Sequence, residues 1–541
     1  MKAMVIGLDG ATFRILDPLM EAGFMPSLEE AMGKGARGEL LSTIPPVTAL
    51  AWPSFFTGKN AGKHGLLGWQ ERLNEEFKRP WISARKIDGP KLWHILNQEG
   101  FRTCVVNVPV TYPPEPLDGV MVSGMLTPGL QSEFTYPPDL REALLAAVPG
   151  YQIDVDVQHT ARNSEDPNAV SRLLSEALAA TRARGEGIRW LLEREDPDMA
   201  AVVFEMPDRL QHVLWRYIES LPASSAGSAD GPALQAELLD CYQALDEQIG
   251  FLTDRLSREA YLILMSDHGF GVLETLVHIN EWLAARGWLA YDRYRTGGRE
   301  ILRRVGRFLE PWLPSSIMQR GRQTLPKLGT LDWARTQAYA GLPSEYGIFL
   351  NLQGREPAGI VKEADYADLR DRIIEALREW RDPHQDKTIM KRVYRREEIY
   401  HGPYVAAAPD IVFELQPGYK VSHLPFQGDL VQDVSHQPHG FHEREGIFAI
   451  SGPGIPSETK IAGSAIEDVM PTLLYALGLP IPDDLDGRVL REAFTGAWTS
   501  DHPVRYRSAL QGEGVGEPRH QYSPEDEAAI AEHLKGLGYL E

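Results

Sequence analysis

The chain has 541 residues, 43% of them hydrophobic and 24% charged, which excludes disorder, collagen and coiled coil as descriptions of the whole. Lys and Arg total 55 against 76 Asp and Glu, a formal charge of −21, and a field of that sign repels nucleic-acid backbones. An anionic substrate would need a locally positive holder, for which a metal is the obvious candidate. The two cysteines, Cys104 and Cys241, make neither a disulfide framework nor a Cys-type zinc site.

The chain begins MKAMVIGLDG, whose apolar run is too short for a secretory leader and reads as a first strand, Met4–Leu8, closed by Gly and Asp9. Next comes Ile44–Gly65, in which Thr48 stands close to a helix start; an N-cap role and a phosphate-meeting hydroxyl both suit it there. Further strands are predicted at Cys104–Val108, Ala200–Phe204, Tyr261–Met265, Ile411–Phe413 and Ile447–Ile450. Helical periods occupy Asn168–Glu193, Leu234–Glu259 and Tyr366–Glu379. This alternation predicts an α/β fold with a central, mostly parallel sheet flanked by helices on both faces. The chain reads as one catalytic domain over 1–541. Within it, 290–340 reads as a helical cap insertion whose arginines, from Arg293 to Arg307, are either solvated or turned to an anionic substrate. Residues 500–541 read as a tail ending in a helix, Pro524–Leu537, capped by Ser523. No apolar run approaches a membrane span, so a soluble, cytoplasmic protein is expected, with no membrane partner.

In a sheet of this kind ligands sit beyond the carboxyl ends of the strands, and acidic or metal-capable residues stand there repeatedly. Asp9 follows the first strand, Asn107 the second, Asp208 the third, and Asp267 with His268 the fourth. Asp208 and His212 are four apart and share a face if helical. The loop before Ile447 holds His436, His439 and His442, and spacing does not choose among them. The inventory is about seven Asp, His and hydroxyl ligands without cysteine. That mixture suits Zn²⁺, with Mn²⁺ or Fe as alternatives, and fits two metals better than one.

The order Asp9, Thr48 with Thr57-Gly58, Asp208-x3-His212, Asp267-His268 and a late histidine resembles the alkaline phosphatase superfamily, and within it the type I phosphodiesterase/nucleotide pyrophosphatase branch. Asn107–Pro114, Ser266–Phe270, Asn280–Leu283, Asn351–Arg355 and the closing Leu537-Gly-Tyr-Leu540 look like the same group. The resemblance implies an alkaline-phosphatase-like fold and two divalent metals, Zn²⁺ or Mn²⁺. Asp208, His212 and His442 would hold one; Asp9, Asp267 and His268 would hold the other, with Thr48 beside it as ligand and nucleophile. His439 is the reserve for His442, and Ser54 a distant alternative to Thr48. The familiar diesterases carry a phosphate-steadying Asn about twenty residues past the nucleophile, where this chain has Trp69. Lys63, His64 or Asn107 would then contact the substrate instead. The expected activity is hydrolysis of a small phosphate ester, a diester or pyrophosphate first, through a phosphothreonine. Phosphomonoesterase, phosphomutase and phosphonate-ester hydrolysis are the rivals on the same core, and a silent binding protein the rival outside the enzymes. A homo-oligomer stays open.

Overall fold

A computed structural model describes residues 1–157, 160, 164, 166–221, 232–292, 331–423, 428–509 and 522–540. Its centre is a ten-stranded sheet in which Ala3–Leu8 lies between Met199–Phe204 and Tyr261–Met265, parallel to both. Thr103–Val106 and Gly119–Val122 extend the parallel part on one side. On the other side, Glu445–Ser451 runs antiparallel between Tyr261–Met265 and Ala36–Leu41. All six residues of Ala3–Leu8 are buried, as a strand covered on both faces requires, and its sequence is correspondingly apolar throughout.

Helices cover this sheet. The longest, Pro167–Glu195, buries Val170, Leu173, Leu174, Ala177, Ile188, Leu191 and Leu192, a three-and-four spacing that lays one stripe on the core. It ends where Asp196 turns to φ 43°. Among the described residues a second apolar cluster is built on a separate four-stranded antiparallel sheet. Its order is Ala338–Ala340, Gly347–Leu350, Ile411–Leu415, Met390–Arg395, and helix Glu363–Arg378 packs on it. Ile411–Phe413 therefore belongs to this smaller sheet and not to the central one. Its apolar run announces a strand, but pairing with Gly347–Leu350 and Met390–Arg395 decides which sheet receives it. Most of the expected cap, 293–330 with all its named arginines, lies outside the described residues; of the rest, Ala338–Ala340 is a strand.

Gly440–Glu443 and Gly269–Val272 form a two-stranded antiparallel ribbon just past the carboxyl end of the central sheet, with His442 opposite Phe270. The terminal helix runs Pro524–Gly536. Ser523 caps it through its hydroxyl to the Asp526 N–H, as its sequence predicts. No helix among the described residues is long and apolar enough to cross a membrane.

Candidate active site

The strand ends deliver their residues to one place. Asp9 follows Leu8 directly and is fully buried. The turn behind it needs Gly10: φ is +68°, and a Cβ there would lie 3.1 Å from Asp208 and from the Phe270 ring. Met199–Phe204 passes through Glu205 into helix Met206–Glu219, whose first turn presents Asp208, with His212 on the same face one turn on. A carboxylate suits that end of a helix dipole. Asp267 and His268 follow Met265 and lead into the ribbon strand Gly269–Val272. Thr48 is the first residue of helix Thr48–Thr57, with Val47 in the cap position, so its hydroxyl is not spent on capping.

Asp208, His212 and His442 form one triplet. His212 Nε2 lies 3.4 Å and His442 Nε2 3.3 Å from Asp208 Oδ1, and the two nitrogens are 3.1 Å apart. Asp9, Asp267 and His268 form the other, with His268 Nε2 3.7 Å from Asp9 Oδ1 and 3.2 Å from Asp267 Oδ2. The triplets adjoin, since His268 Nε2 is 3.9 Å from Asp208 Oδ1. Ligands about 2.1 Å from a tetrahedral centre stand about 3.4 Å apart, so these spacings suit donors around a cation.

Two further observations fit the same occupant. Asp9 Oδ1, Asp208 Oδ1 and Asp267 Oδ2 are buried without a hydrogen-bond partner, and these are the oxygens that face the imidazoles. Such atoms are costly unless something positive meets them. His442 Nδ1 lies 2.9 Å from the Pro46 carbonyl and His268 Nδ1 3.1 Å from that of Gly269. A carbonyl only accepts, so each Nδ1 carries the proton and each Nε2 offers its lone pair to the cluster.

The electrostatics agree. Burial, then the charges of Asp267 and Asp208, hold the Asp9 carboxyl well above its usual range. Burial and Asp208 push Asp267 up to about 7. Burial, with His268 beside it, holds His442 well below the usual imidazole value, and burial lowers His212. Burial opposes ionisation of Asp208, but His212 and Arg209 outweigh it and keep that carboxyl well below its usual range. Divalent cations in the two triplets would favour charged carboxylates and neutral imidazoles together, the forms in which these groups bind metal.

The supporting contacts come from residues that sequence reasoning passed over. Trp52, one turn after Thr48, donates its indole N–H to Asp9 Oδ2 at 3.2 Å. The Gly10 N–H donates to Asp267 Oδ1 at 3.2 Å. Arg209 pairs with Asp208 on one side and with Asp154 at 2.8 and 2.6 Å on the other. Thr48 Oγ1 lies 3.2 Å from His268 Nε2 and 2.9 Å from the phenol oxygen of Tyr539. Tyr539 stood in the sequence only inside the family-like Leu537–Leu540, with nothing local to tie it to residue 48.

Asp9, Thr48, Asp208, His212, Asp267, His268 and His442 are thus brought together. His439 stays outside both triplets, and the Ser54 hydroxyl meets His64 Nε2 at 3.1 Å. The three expected substrate contacts have their polar atoms engaged within the fold. Lys63 Nζ is held by Asp486 at 2.5 Å and by the Asp484 carbonyl at 2.9 Å. His64 is engaged by Ser54 and by the Leu66 N–H. Asn107, at φ 56°, accepts from the Tyr151 hydroxyl and donates to the Ile153 carbonyl. None of the three bonds to either triplet among the described residues.

No curated protein sequence matches the chain. Among solved structures, it is similar to a phosphonoacetate hydrolase from Sinorhizobium meliloti 1021 in complex with phosphonoacetate: 16% identity, TM-score 0.48, with 88% of this chain and 95% of that one covered. It is also similar to murine ectonucleotide pyrophosphatase / phosphodiesterase 5 in complex with AMP: 13% identity, TM-score 0.48, covering 92% and 100%. The human form of the latter gives 13%, 0.46, 93% and 99%. The family model described as type I phosphodiesterase / nucleotide pyrophosphatase matches residues 3–443. The chain belongs to the type I phosphodiesterase / nucleotide pyrophosphatase family and is a hydrolase of phosphoric ester bonds.

Proposed function

We propose that the chain hydrolyses a small phosphodiester or pyrophosphate through a phosphothreonine on Thr48, with Asp208, His212 and His442 holding one divalent metal and Asp9, Asp267 and His268 the other. The observation that carries this reading is the position of Thr48: a buried hydroxyl at a helix start, 3.2 Å from His268 Nε2, beside two adjoining triplets of imidazole and carboxylate. The mixture of nitrogen and oxygen donors suits Zn²⁺ first and Mn²⁺ second. When bound, the cations would lower the pKa of the Thr48 hydroxyl and neutralise charge on the phosphoryl oxygens.

The chain's own residues supply the rest. The Thr48 oxygen attacks phosphorus, the new O–P bond forms as the bond to the leaving oxygen breaks, and the phosphoryl group rests on Thr48. Water then cleaves that ester and returns the hydroxyl. The helix N-terminus behind Thr48 favours the negative group throughout. Trp52 and the Gly10 amide fix the orientation of Asp9 and Asp267, and Arg209 keeps Asp208 ionised.

The test is the initial rate of zinc-loaded and manganese-loaded protein on bis-p-nitrophenyl phosphate and p-nitrophenyl phosphate, beside Thr48→Ala. A diester preference abolished in the variant supports the reading. A monoester preference moves it to a phosphatase or mutase on the same core, and substantial turnover by Thr48→Ala sinks the nucleophile.

A further inference from the structure

The terminal helix ends in a way that delivers one side chain to the site. The Gly538 N–H bonds the Lys535 carbonyl and the Tyr539 N–H the Leu534 carbonyl, both at 3.0 Å, with Gly538 at φ +72°. This is a Schellman turn, which a residue with a Cβ adopts only under strain. It sends Tyr539 back under the ribbon. Lys420 Nζ donates to the Gly538 carbonyl at 2.8 Å and fixes the turn from the other lobe, and His533 meets Asp154 at 2.9 Å and fixes the helix. The Tyr539 ring stands edge-on to Trp69, centroids 5.0 Å apart, and is 0% exposed. Its phenol oxygen lies 2.9 Å from Thr48 Oγ1 and 3.3 Å from His442 Nε2.

We infer that Tyr539 is a substrate-contacting residue: its phenol O–H donates a hydrogen bond to a non-bridging oxygen of the phosphoryl group as that group joins Thr48. The inference rests on the reading of Thr48 as nucleophile. A group 2.9 Å from the attacking oxygen is within reach of the oxygens on a phosphorus bonded to it. The phenol offers one uncharged donor there, while the polar atoms of Lys63, His64 and Asn107 are engaged elsewhere in the fold. Charge-assisted donors of this kind are the strong ones, and one already in place stabilises the developing charge without reorganisation. Trp69 serves as the wall that keeps the ring from swinging away.

The experiment compares the wild-type, Tyr539→Phe and Gly538→Ala full-length proteins, all zinc-loaded, for metal content, for binding of inorganic phosphate by calorimetry, and for kcat and KM on the better of the two nitrophenyl esters. Tyr539→Phe is expected to keep two metals per chain and to weaken phosphate binding by about tenfold or more, with a matching fall in kcat/KM. Gly538→Ala, which keeps the phenol but strains the turn, should move both quantities the same way by less. Phosphate affinity and kcat/KM of Tyr539→Phe within twofold of wild type would overturn the inference. So would a loss of metal, which would make Tyr539 a ligand, or a rise in activity, which would make the tail a plug. Failure of the underlying reading looks different: Thr48→Ala keeps its turnover, or the wild type turns over neither ester. Phosphate binding decides Tyr539 in either case, and a wild type that binds no phosphate overturns both.

Discussion

Trp52→Phe isolates one hydrogen bond behind the second triplet. Asp9 presents Oδ1 to His268 and has its Oδ2 held by the Trp52 indole N–H at 3.2 Å. The indole cannot drift, because it lies flush on the first strand: a Cβ added to Gly7 would fall 2.4 Å from the ring. Phenylalanine keeps most of the ring but withdraws the donor, leaving a buried carboxylate oxygen unmet and the carboxylate free to rotate. A hydrogen bond to a charged group is worth about 1.5–3 kcal/mol, so zinc affinity should fall about 10- to 150-fold. The assay is competition for Zn²⁺ against a chromophoric chelator at fixed neutral pH, reading the weaker of the two binding steps. Trp93→Phe is the control. Trp93 is equally buried in the same core and also loses an indole bond, 3.3 Å to Glu115, but that bond does not touch the site. Both variants should lose thermal stability; only Trp52→Phe should lose zinc. Zinc affinity within threefold of wild type in Trp52→Phe would refute the view that the indole positions Asp9.

Other outcomes follow from the same geometry. With the Asp267 carboxyl pushed up to about 7, protons compete with metal below that value. Apparent zinc affinity should drop about tenfold per pH unit from this group and level off above about 7, and equal affinities at about pH 6 and 8 would contradict it. His64 is buried with its value lowered to about 3 from 6.5, so its contribution to stability is fully present above 6.5 and is lost as pH falls toward 3. At about pH 5 the loss is about 2 kcal/mol, so His64→Gln should show a shallower fall in urea midpoint between neutral pH and pH 5 than wild type. An equal fall would count against it. Lys63→Met should leave KM within twofold, because Asp486 and the Asp484 carbonyl occupy the ammonium. A several-fold rise in KM would restore Lys63 as a substrate contact.

The metal-capable residues were legible because the information is local. Asp9, Asp208 and Asp267 each follow an apolar run at the end where a parallel sheet gathers ligands, and Asp208 with His212 needs only helical spacing. The late histidine was less so: three histidines share one loop, and the register of the ribbon, His442 against Phe270, puts that one in the cluster. Trp52 and Arg209 were overlooked for a similar reason. A tryptophan in an apolar helix reads as core, and only the fold shows its N–H meeting a residue 43 positions away. Lys63, His64 and Asn107 drew a functional reading as polar side chains near motifs, while partners such as Asp486, 423 positions on, are invisible in one dimension. The assignment of Ile411–Phe413 to the wrong sheet has the same root.

The ribbon has a consequence for how such enzymes diversify. The chain leaves the catalytic core at Val272 and returns at Gly440, and these two residues are paired partners, with the Leu273 N–H bonding the His439 carbonyl at 3.0 Å. The described residues between enter and leave through this one pairing, while the two triplets and Thr48 lie outside it. The intervening lobe, with its own sheet and apolar cluster, is in effect a cassette. It can be lengthened, trimmed or exchanged as long as its docking pairs persist, such as Arg72 with Glu356 and Arg79 with Glu345. The clustered carboxylates and imidazoles of the core would be inherited unchanged while the lobe beside them is rewritten.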